Sequence, residues 1–215
     1  MHDIATLMNA APVIPVIVID DLADAAPLAR ALVAGGLPVL EVTLRTPVAL
    51  DAIAAMKRVE GAIVGAGTVV NAHELDQALA AGSEFIVSPG LTEPLARSAI
   101  DRGVPFLPGV ANAGDIMRGL DLGLTHFKFF PAMAAGGPAA LQAIASALRP
   151  ARNGDLDFIP TGGVTLANLK SWKATGCVAA VGGTWLAKES LVISRAKAGI
   201  VAATREALAC WNTPA

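Results

Sequence analysis

Tyrosine is missing from this 215-residue sequence, and aromatic residues of all kinds make up only 4% of it. A tyrosine therefore cannot serve as a catalytic acid or base. The two cysteines, Cys177 and Cys210, fit neither a metal-ligand spacing nor a disulfide framework. The histidines, His2, His73 and His126, lie far apart, and no cluster of His, Asp and Glu has ligand spacing. We therefore expect no metal and no other cofactor.

Charge and hydropathy argue against two further classes of partner. The net charge is −2, and no basic stripe with interleaved aromatic residues is suited to nucleic acid. Hydrophobic residues reach 54%, yet no run approaches the roughly 18 apolar residues that a membrane span needs. The first six residues lack the basic segment of a secretory signal. The composition thus predicts a cytoplasmic enzyme that acts on small molecules, without a nucleic-acid or membrane partner.

Apolar, β-branched runs alternate with amphipathic stretches along the whole sequence. The predicted strands are Val13–Ile19, Pro38–Thr43, Ala62–Ala66, Phe85–Ser88, Val104–Pro108, His126–Phe130, Asp157–Pro160 and Val178–Val181. The predicted helices are Leu22–Ala34, Pro47–Val59, Ala72–Ala81, Glu93–Arg102, Ala113–Leu122, Pro138–Leu148, Leu166–Ala174 and a region Trp185–Ala209 broken near Leu191–Ser194. Such alternation predicts βαβ units and a parallel sheet. Eight units in one short chain without linkers favour a single (β/α)₈ barrel domain over residues 1–215 rather than a doubly wound sheet.

Polar residues alternate with apolar ones in the second predicted strand and in the turn that follows it. Side chains alternate between the faces of a strand, so Glu41, Thr43 and Arg45 share one face. If the apolar face meets the helices, these three side chains point into the barrel or its mouth. The simpler interpretation is a buried Glu41–Arg45 ion pair that only orients the strand. Buried ion pairs are weak evidence for stability, so we favour a functional role.

Lys128 is the only lysine in a predicted strand, with Phe127 and Phe129 on the opposite face. One interpretation is an ammonium group that reaches a neighbouring carboxylate, such as Glu41. The other is chemical: desolvation disfavours the charged form of an amine, and a neutral amine can attack a ketone. The resulting protonated imine is an electron sink that permits cleavage of a neighbouring carbon–carbon bond. Glu41 can supply the proton shuttle that this reaction needs.

Paired glycines follow the seventh and eighth predicted strands, Gly162-Gly163 and Gly182-Gly183. In (β/α)₈ barrels, the loops at these two places often form a phosphate site. Free backbone amides and the positive end of a following helix suit a phosphate dianion. One such pair could be only a tight turn, but two at these positions point to phosphate binding.

Six segments together resemble the family of 2-keto-3-deoxy-6-phosphogluconate aldolases, members of which often act also as 4-hydroxy-2-oxoglutarate aldolases. The segments are Glu41–Thr46, Gly65–Val69, Ser88–Thr92, Lys128–Ala132, Thr161–Gly163 and Gly182–Leu186. They occur in the family's order and extend from the second predicted strand to the eighth, so that their span covers most of the chain. The resemblance implies a Schiff-base aldolase that reversibly forms pyruvate and glyceraldehyde 3-phosphate in the Entner–Doudoroff pathway. It also implies a homotrimer.

The resemblance further assigns roles to individual residues. Lys128 would form the imine with the keto group of the substrate, and Glu41 would move protons. The substrate-binding residues would be Arg45 and Thr68 for the pyruvyl carboxylate, Pro89 and Phe130 for the shape of the pocket, Gly162, Gly163, Gly182 and Thr184 for the phosphate, and Thr161 beside them. Three positions depart from the family pattern: Thr184 replaces the common Ser, Met133 replaces Glu, and Asn112 lies in a loop that lacks the usual Thr.

Other functions stay open at this point. The nearest competitor is an aldolase specific for the phosphogalactonate isomer. A second is a sugar-phosphate isomerase or epimerase that forms no covalent intermediate and uses Lys128 as an electrostatic clamp. A third is a catalytically silent binding protein, which would have no need to keep Glu41, Arg45 and Lys128 together.

Overall fold

The computed structural model describes residues 3–149, 155–187 and 197–213. The α-helices in these ranges are α1 (Ile4–Ala10), α2 (Leu22–Gly35), α3 (Ala49–Met56), α4 (Ala72–Ala80), α5 (Glu93–Asp101), α6 (Ala113–Asp121), α7 (Gly137–Leu148), α8 (Leu169–Lys173) and α9 (Lys197–Asn212). The strands are β1 (Val13–Ile17), β2 (Val39–Thr43), β3 (Ile63–Gly67), β4 (Ile86–Val87), β5 (Phe106–Leu107), β6 (Gly109–Val110), β7 (His126–Phe129), β8 (Asp157–Pro160) and β9 (Val181–Gly183).

All strand pairings are parallel, which confirms the predicted α/β class with a parallel sheet. Six strands form a curled sheet in the order β5-β4-β3-β2-β1-β9, and β6, β7 and β8 form a second sheet. Two isolated parallel bridges, Phe158 to Val178 and Thr161 to Gly182, connect the β8 segment with the β9 segment. Because the strands are parallel, their carboxyl ends lie at a common edge. The side chains that follow the strands are gathered there.

The fifth predicted strand, Val104–Pro108, is two short strands in the structure. β5 pairs with β4, whereas β6 pairs with β7. Pro108 lies between them, and its carbonyl oxygen accepts a hydrogen bond from the backbone N–H of Lys128 at 2.9 Å. Proline has no N–H to donate, so the regular ladder is interrupted there. The chain thus changes its pairing partner within a few residues.

Helix α1 was not predicted, although the sequence carries a signal for it. Asp3 is its N-cap, and the carboxylate accepts a hydrogen bond from the backbone N–H of Thr6 at 2.6 Å. Ile4, Leu7 and Met8 have helical spacing, and Leu7 and Met8 are fully buried. They join an inner apolar cluster whose other members come from the strands: Ile14, Val39, Phe85, Val87, Leu107, Ile159 and Ala180. Helix α1 therefore covers part of the sheet's concave interior.

The other elements follow the predictions, with ends displaced by at most three residues, except toward the carboxyl terminus. The predicted helix Leu166–Ala174 begins as a 3₁₀ turn (Leu166–Asn168) and continues as α8. Of the predicted region Trp185–Ala209, the structure shows a 3₁₀ turn (Trp185–Ala187) and α9. The expected break near Leu191–Ser194 lies outside the described residues. Within the described ranges, no helix is long and apolar enough to cross a membrane.

Candidate active site

Lys128 and Glu41 meet inside the curled sheet. The ammonium Nζ of Lys128 donates a hydrogen bond to Oε1 of Glu41 at 3.1 Å, and the two side chains are only 7% and 4% exposed. Among the described residues, no other ion pair is buried on both sides. The two groups are close enough to exchange a proton directly.

The alternation of side chains places both residues on the concave face, as predicted. In β7, Phe127 and Phe129 are fully buried in the outer core between the sheet and the helices, which leaves Lys128 on the inner face. In β2, Leu40 and Val42 join the same outer core. The pair therefore depends on two strands whose apolar residues anchor the opposite face.

Thr43 and Arg45 do not join this pair. The hydroxyl of Thr43 is fully buried and donates to the backbone oxygen of Ile17 at 3.0 Å, which ties β2 to β1. Arg45 is exposed and lies two residues beyond β2, where strand alternation no longer fixes its direction. The interpretation of Glu41 and Arg45 as a buried ion pair is therefore wrong, because Lys128 is the partner of Glu41. Arg45 stands in the turn after the strand, on the edge of the sheet that carries the site.

Thr68 follows β3 in a strained backbone conformation. Its φ angle is 62°, and no other non-glycine residue in the described part of the chain has a positive φ. A non-glycine residue held in the left-handed region costs about 1–3 kcal/mol, and such residues cluster at functional sites. The half-buried Thr68 is therefore a strong candidate for a ligand-binding position.

Phe130 and Pro89 each follow a strand, β7 and β4 respectively, at the edge formed by the carboxyl ends of the strands. The ring centroid of Phe130 is 5.4 Å from Nζ of Lys128, so the ring forms one wall beside the amine. Pro89 follows β4, and its carbonyl oxygen occupies the space that a side chain at Gly109 would need. Gly109 thus lets β6 approach the loop after β4.

The two glycines after β8 and the two within β9 are glycine for different physical reasons. Gly162 and Gly163 have φ angles of 98° and 77°, which favour glycine. Gly182 and Gly183 do not adopt this conformation; a Cβ at Gly182 would overlap the hydroxyl of Thr161, and one at Gly183 would overlap the ring of Trp185. The expected phosphate-binding role of the amides is therefore not needed to explain why Gly182 and Gly183 lack side chains. The structure instead gives internal packing as a sufficient reason.

The loop after β8 nevertheless offers unused hydrogen-bonding groups. Within residues 3–149, 155–187 and 197–213, the backbone amides of Gly163 and Val164 have no hydrogen-bond partner. The hydroxyl of Thr161 is buried and likewise lacks a partner within those ranges. Thr184 is exposed and immediately precedes the 3₁₀ turn. The 3₁₀ turn Trp185–Ala187 is the described part of the helical region expected after Gly183, and the residues that directly follow this turn lie outside the described ranges.

Two of the three departures from the family pattern, Asn112 and Met133, differ in their environments. Asn112 is the N-cap of α6, and its side-chain oxygen accepts from the backbone N–H of Asp115 at 3.0 Å. Met133 is 45% exposed and packs against the α-carbon of Gly163. Met133 is thus part of the rim around the loop after β8, whereas Asn112 stabilises a helix.

Among the described residues, no three His, Cys, Asp or Glu side chains lie together in a group that could hold a metal ion. Of the two free thiols, that of Cys177 is buried and that of Cys210 is half-buried. Burial is the main cause that raises the pKa of the Cys177 thiol above its ordinary value.

Comparisons with known proteins give a consistent result. The family described as "KDPG and KHG aldolase" matches residues 4–203. A 2-dehydro-3-deoxy-phosphogluconate aldolase of Zymomonas mobilis is 56% identical over 86% of this chain and 87% of that protein. A crystal structure of such an enzyme from Z. mobilis ZM4, with 3-phosphoglycerate, has a TM-score of 0.91 and 53% identity, and the match covers 96% of this chain and 95% of that one.

Two further relatives carry information about substrate and intermediate. The KHG/KDPG aldolase of Escherichia coli K12 is 50% identical over 84% of this chain and 83% of that protein. The KDPG aldolase of Legionella pneumophila was captured with pyruvate as a covalent carbinolamine intermediate. It has a TM-score of 0.91 and 40% identity, and the match covers 96% of this chain and 98% of that one.

Proposed function

The chain belongs to the family of KDPG and KHG aldolases, and on that premise we propose how its own residues perform the reaction. The enzyme reversibly cleaves 2-dehydro-3-deoxy-6-phospho-D-gluconate to pyruvate and D-glyceraldehyde 3-phosphate, with Lys128 as the nucleophile and Glu41 as the proton shuttle. The observation that carries this assignment is the buried contact of 3.1 Å between the two side chains. The carbinolamine of the L. pneumophila relative supports covalent chemistry of this kind.

The two sheets together make a closed (β/α)₈ barrel of a single domain. β5 and β6 are separated by one residue and pair on opposite sides, with β4 and with β7. At the other seam, the bridge from Thr161 to Gly182 joins the β8 segment to β9. These two connections support a closed ring, and an active site at the carboxyl ends of the strands is the rule for such barrels.

The reaction begins when the neutral amine of Lys128 attacks the C2 keto carbon of the substrate. The carbinolamine takes back the proton that the Lys128 ammonium had released, loses water and becomes a protonated imine. The C3–C4 bond then breaks: its electron pair moves toward the imine to give an enamine, and the C4 hydroxyl loses its proton to Glu41. Glyceraldehyde 3-phosphate leaves. Glu41 returns the proton to C3, and water hydrolyses the pyruvyl imine to pyruvate and free Lys128.

Binding groups at the edge of the sheet hold the two ends of the substrate. The strained Thr68 and the guanidinium of Arg45 position the pyruvyl carboxylate, and Phe130 and Pro89 shape the pocket around the imine. The phosphate lies at Gly162, Gly163, Gly182 and Thr184, next to Thr161. The backbone amides of Gly163 and Val164, which have no hydrogen-bond partner among the described residues, support this placement, as does the 3-phosphoglycerate in the structure of the Z. mobilis relative.

The remaining parts of the proposal concern metal, assembly and alternative substrates. Catalysis needs no metal, because the imine itself serves as the electron sink. The protein assembles as a homotrimer, as the family resemblance implies. The name of the E. coli relative supports 4-hydroxy-2-oxoglutarate, cleaved to pyruvate and glyoxylate, as a second substrate. Lys128 as a mere electrostatic clamp is disfavoured, since an aldolase of this family needs an amine nucleophile.

Reductive trapping tests the proposal. Incubation with pyruvate and borohydride adds one covalent group to the intact protein, and peptide mapping places it on Lys128. Lys128→Ala removes both the adduct and turnover, whereas Lys57→Ala, which changes an exposed lysine, keeps both. An adduct on another lysine, or no adduct, would exclude this imine mechanism.

A further inference from the structure

Gly67 is a glycine whose backbone does not require glycine. It is the last residue of β3, and it is absent from the residues with positive φ in the described part of the chain. Glycine within a strand weakens it, since no side chain packs there. The reason for a glycine at this position must therefore lie in its surroundings.

The space beside Gly67 is filled by the side chain of Glu41. A Cβ built on Gly67 would overlap Oε1 of Glu41 and would lie 2.7 Å from its Cγ and 2.8 Å from its Cδ. A Cβ atom essentially never lies within 3.0 Å of an atom from a distant part of the chain, so something would have to shift. Three consecutive atoms of Glu41 are affected, so rotation of the terminal carboxylate alone cannot relieve the overlap.

The pairing of β2 with β3 explains why the carboxylate reaches Gly67. Glu41 pairs in register with Gly65, and Thr43 pairs with Gly67. Side chains lean along a strand, so the Glu41 carboxylate extends toward the carboxyl end of β3. It there meets Lys128, which arrives from β7. The missing side chain of Gly67 leaves the volume in which the carboxylate can contact the amine.

We infer that Gly67 is a positioning residue for the aldolase reaction, because it leaves the space that holds the Glu41 carboxylate against Lys128. This inference rests on the proposed role of Glu41 as the proton shuttle. A side chain at Gly67 displaces the carboxylate from the amine while the amine itself stays in place. Proton transfer is then impaired more than imine formation.

Gly65 provides a matched control. It lies two residues earlier in β3, on the same inner face, and a Cβ there would lie 2.5 Å from three ring carbons of Phe85. Gly65→Ala therefore introduces the same methyl group and a comparable steric conflict, but against the apolar interior. Any general effect of overpacking β3 appears in both variants, whereas an effect through Glu41 appears only in Gly67→Ala.

Two rates measured with pyruvate as the substrate separate imine formation from proton transfer. Borohydride trapping reports imine formation, and exchange of the methyl protons of pyruvate with heavy water reports proton removal from the imine. In Gly67→Ala, exchange falls on the order of 10- to 100-fold, a partial loss of the roughly 10²–10⁴-fold that general acid–base catalysis usually contributes, while trapping changes little. Gly65→Ala keeps the wild-type ratio of exchange to trapping. A disturbance of the neighbouring Thr68 would instead raise the pyruvate concentration needed for half-maximal trapping.

Combination with Glu41 variants decides whether Gly67 acts through this residue. In a Glu41→Gln background, Gly67→Ala causes no further loss of exchange. In a Glu41→Ala background, the clashing atoms are gone, so Gly67→Ala costs less stability than in the wild-type protein, measured as the shift in thermal unfolding midpoint. This second comparison works even if Gly67→Ala alone folds poorly.

Several results would overturn the inference. Exchange and trapping that decline together, as in Gly65→Ala, indicate general damage to β3. An undiminished loss of exchange in the Glu41→Gln background, or an equal loss of stability with and without Glu41, shows that Gly67 does not act through Glu41. Failure of the proposed function is distinguishable, because Glu41→Gln by itself would then exchange pyruvate protons at the wild-type rate.

Discussion

The hydroxyl of Thr161 lies against the α-carbon of Gly182, where a Cβ at Gly182 would need to be. The two residues also form the bridge between the β8 segment and β9. A larger residue at Gly182 therefore pushes on the seam between the two sheets before it reaches any bound phosphate. Overpacking of this kind typically costs about 1–3 kcal/mol.

We expect Gly182→Val to lower the thermal unfolding midpoint and to reduce activity on phosphorylated and unphosphorylated substrates alike, as measured by a coupled assay. A loss limited to the phosphorylated substrate would show that the substitution disturbs phosphate binding at Gly182 without disturbing the seam.

Thr184 allows a test of the phosphate site that does not overpack the interior, because its side chain is exposed. Thr184→Val removes the hydroxyl and nearly preserves the shape. A hydrogen bond to a charged group contributes about 1.5–3 kcal/mol, so kcat/KM for the phosphorylated substrate should fall about 10- to 100-fold. Binding energy remote from the breaking bond can also lower the barrier, so kcat should decline along with affinity.

The specificity of this effect is checked with two controls. Thr184→Ser keeps the hydroxyl and should retain most activity. Cleavage of unphosphorylated 4-hydroxy-2-oxoglutarate should change little in Thr184→Val, since that substrate has no phosphate to bind. Equal losses on both substrates would argue against phosphate contact at Thr184.

Glu41→Gln tests the proton shuttle directly. The substitution keeps the size of the side chain and removes its capacity to accept a proton. We expect turnover to drop by about 10²–10⁴-fold, the usual contribution of general acid–base catalysis, whereas pyruvate can still be trapped on Lys128 to some extent. Steady-state kinetics and trapping are measured on the same preparation. Activity close to that of the wild-type protein would reduce Glu41 to a structural partner of Lys128.

Removal of metal ions should leave activity unchanged. The described residues offer no group of metal-ligating side chains, and the imine supplies the electron sink that a metal would otherwise provide. The measurement is turnover after exhaustive chelation and dialysis, compared with an untreated sample. A loss that a divalent ion restores would point to a metal-dependent aldolase.

The two cysteines should differ in reactivity. Burial raises the pKa of the Cys177 thiol, and the thiolate is the reactive form, so iodoacetamide should modify the half-buried Cys210 first. In denatured protein the two rates should become similar. Mass spectrometry of each peptide follows the reaction, with Cys210→Ser as the control. Preferential labelling of Cys177 in the native protein would contradict this expectation.

The same shift has a consequence for stability. The folded-state pKa of Cys177 lies above the unfolded value, so folding favours the protonated thiol. The stability that the protonated Cys177 thiol contributes is fully present below the pKa of Cys177 in the unfolded chain. It is lost as the pH rises through the pKa of Cys177 in the folded protein. The wild-type protein should therefore lose more stability on the alkaline side than Cys177→Ala does, as followed by thermal unfolding across that range.

Much of this protein was predictable from local patterns in the sequence. The alternation of strands and helices follows from the spacing of apolar residues, and the strand period places Lys128 and Glu41 on the inner face. Helix α1 could have been predicted as well, from Asp3 as a cap and the apolar spacing of Leu7 and Met8. Such features depend on residues only a few positions apart, so the sequence alone determines them.

Relationships between distant segments were decided by the tertiary structure. Arg45 has the inward position in the alternating pattern, but β2 ends at Thr43 and the turn leaves Arg45 exposed. The pairing of Lys128 with Glu41 joins residues 87 positions apart. The reasons for glycine at positions 67 and 182 are side chains of neighbouring strands. Periodicity fixes which face a side chain occupies, whereas the register between strands fixes which other side chain it meets.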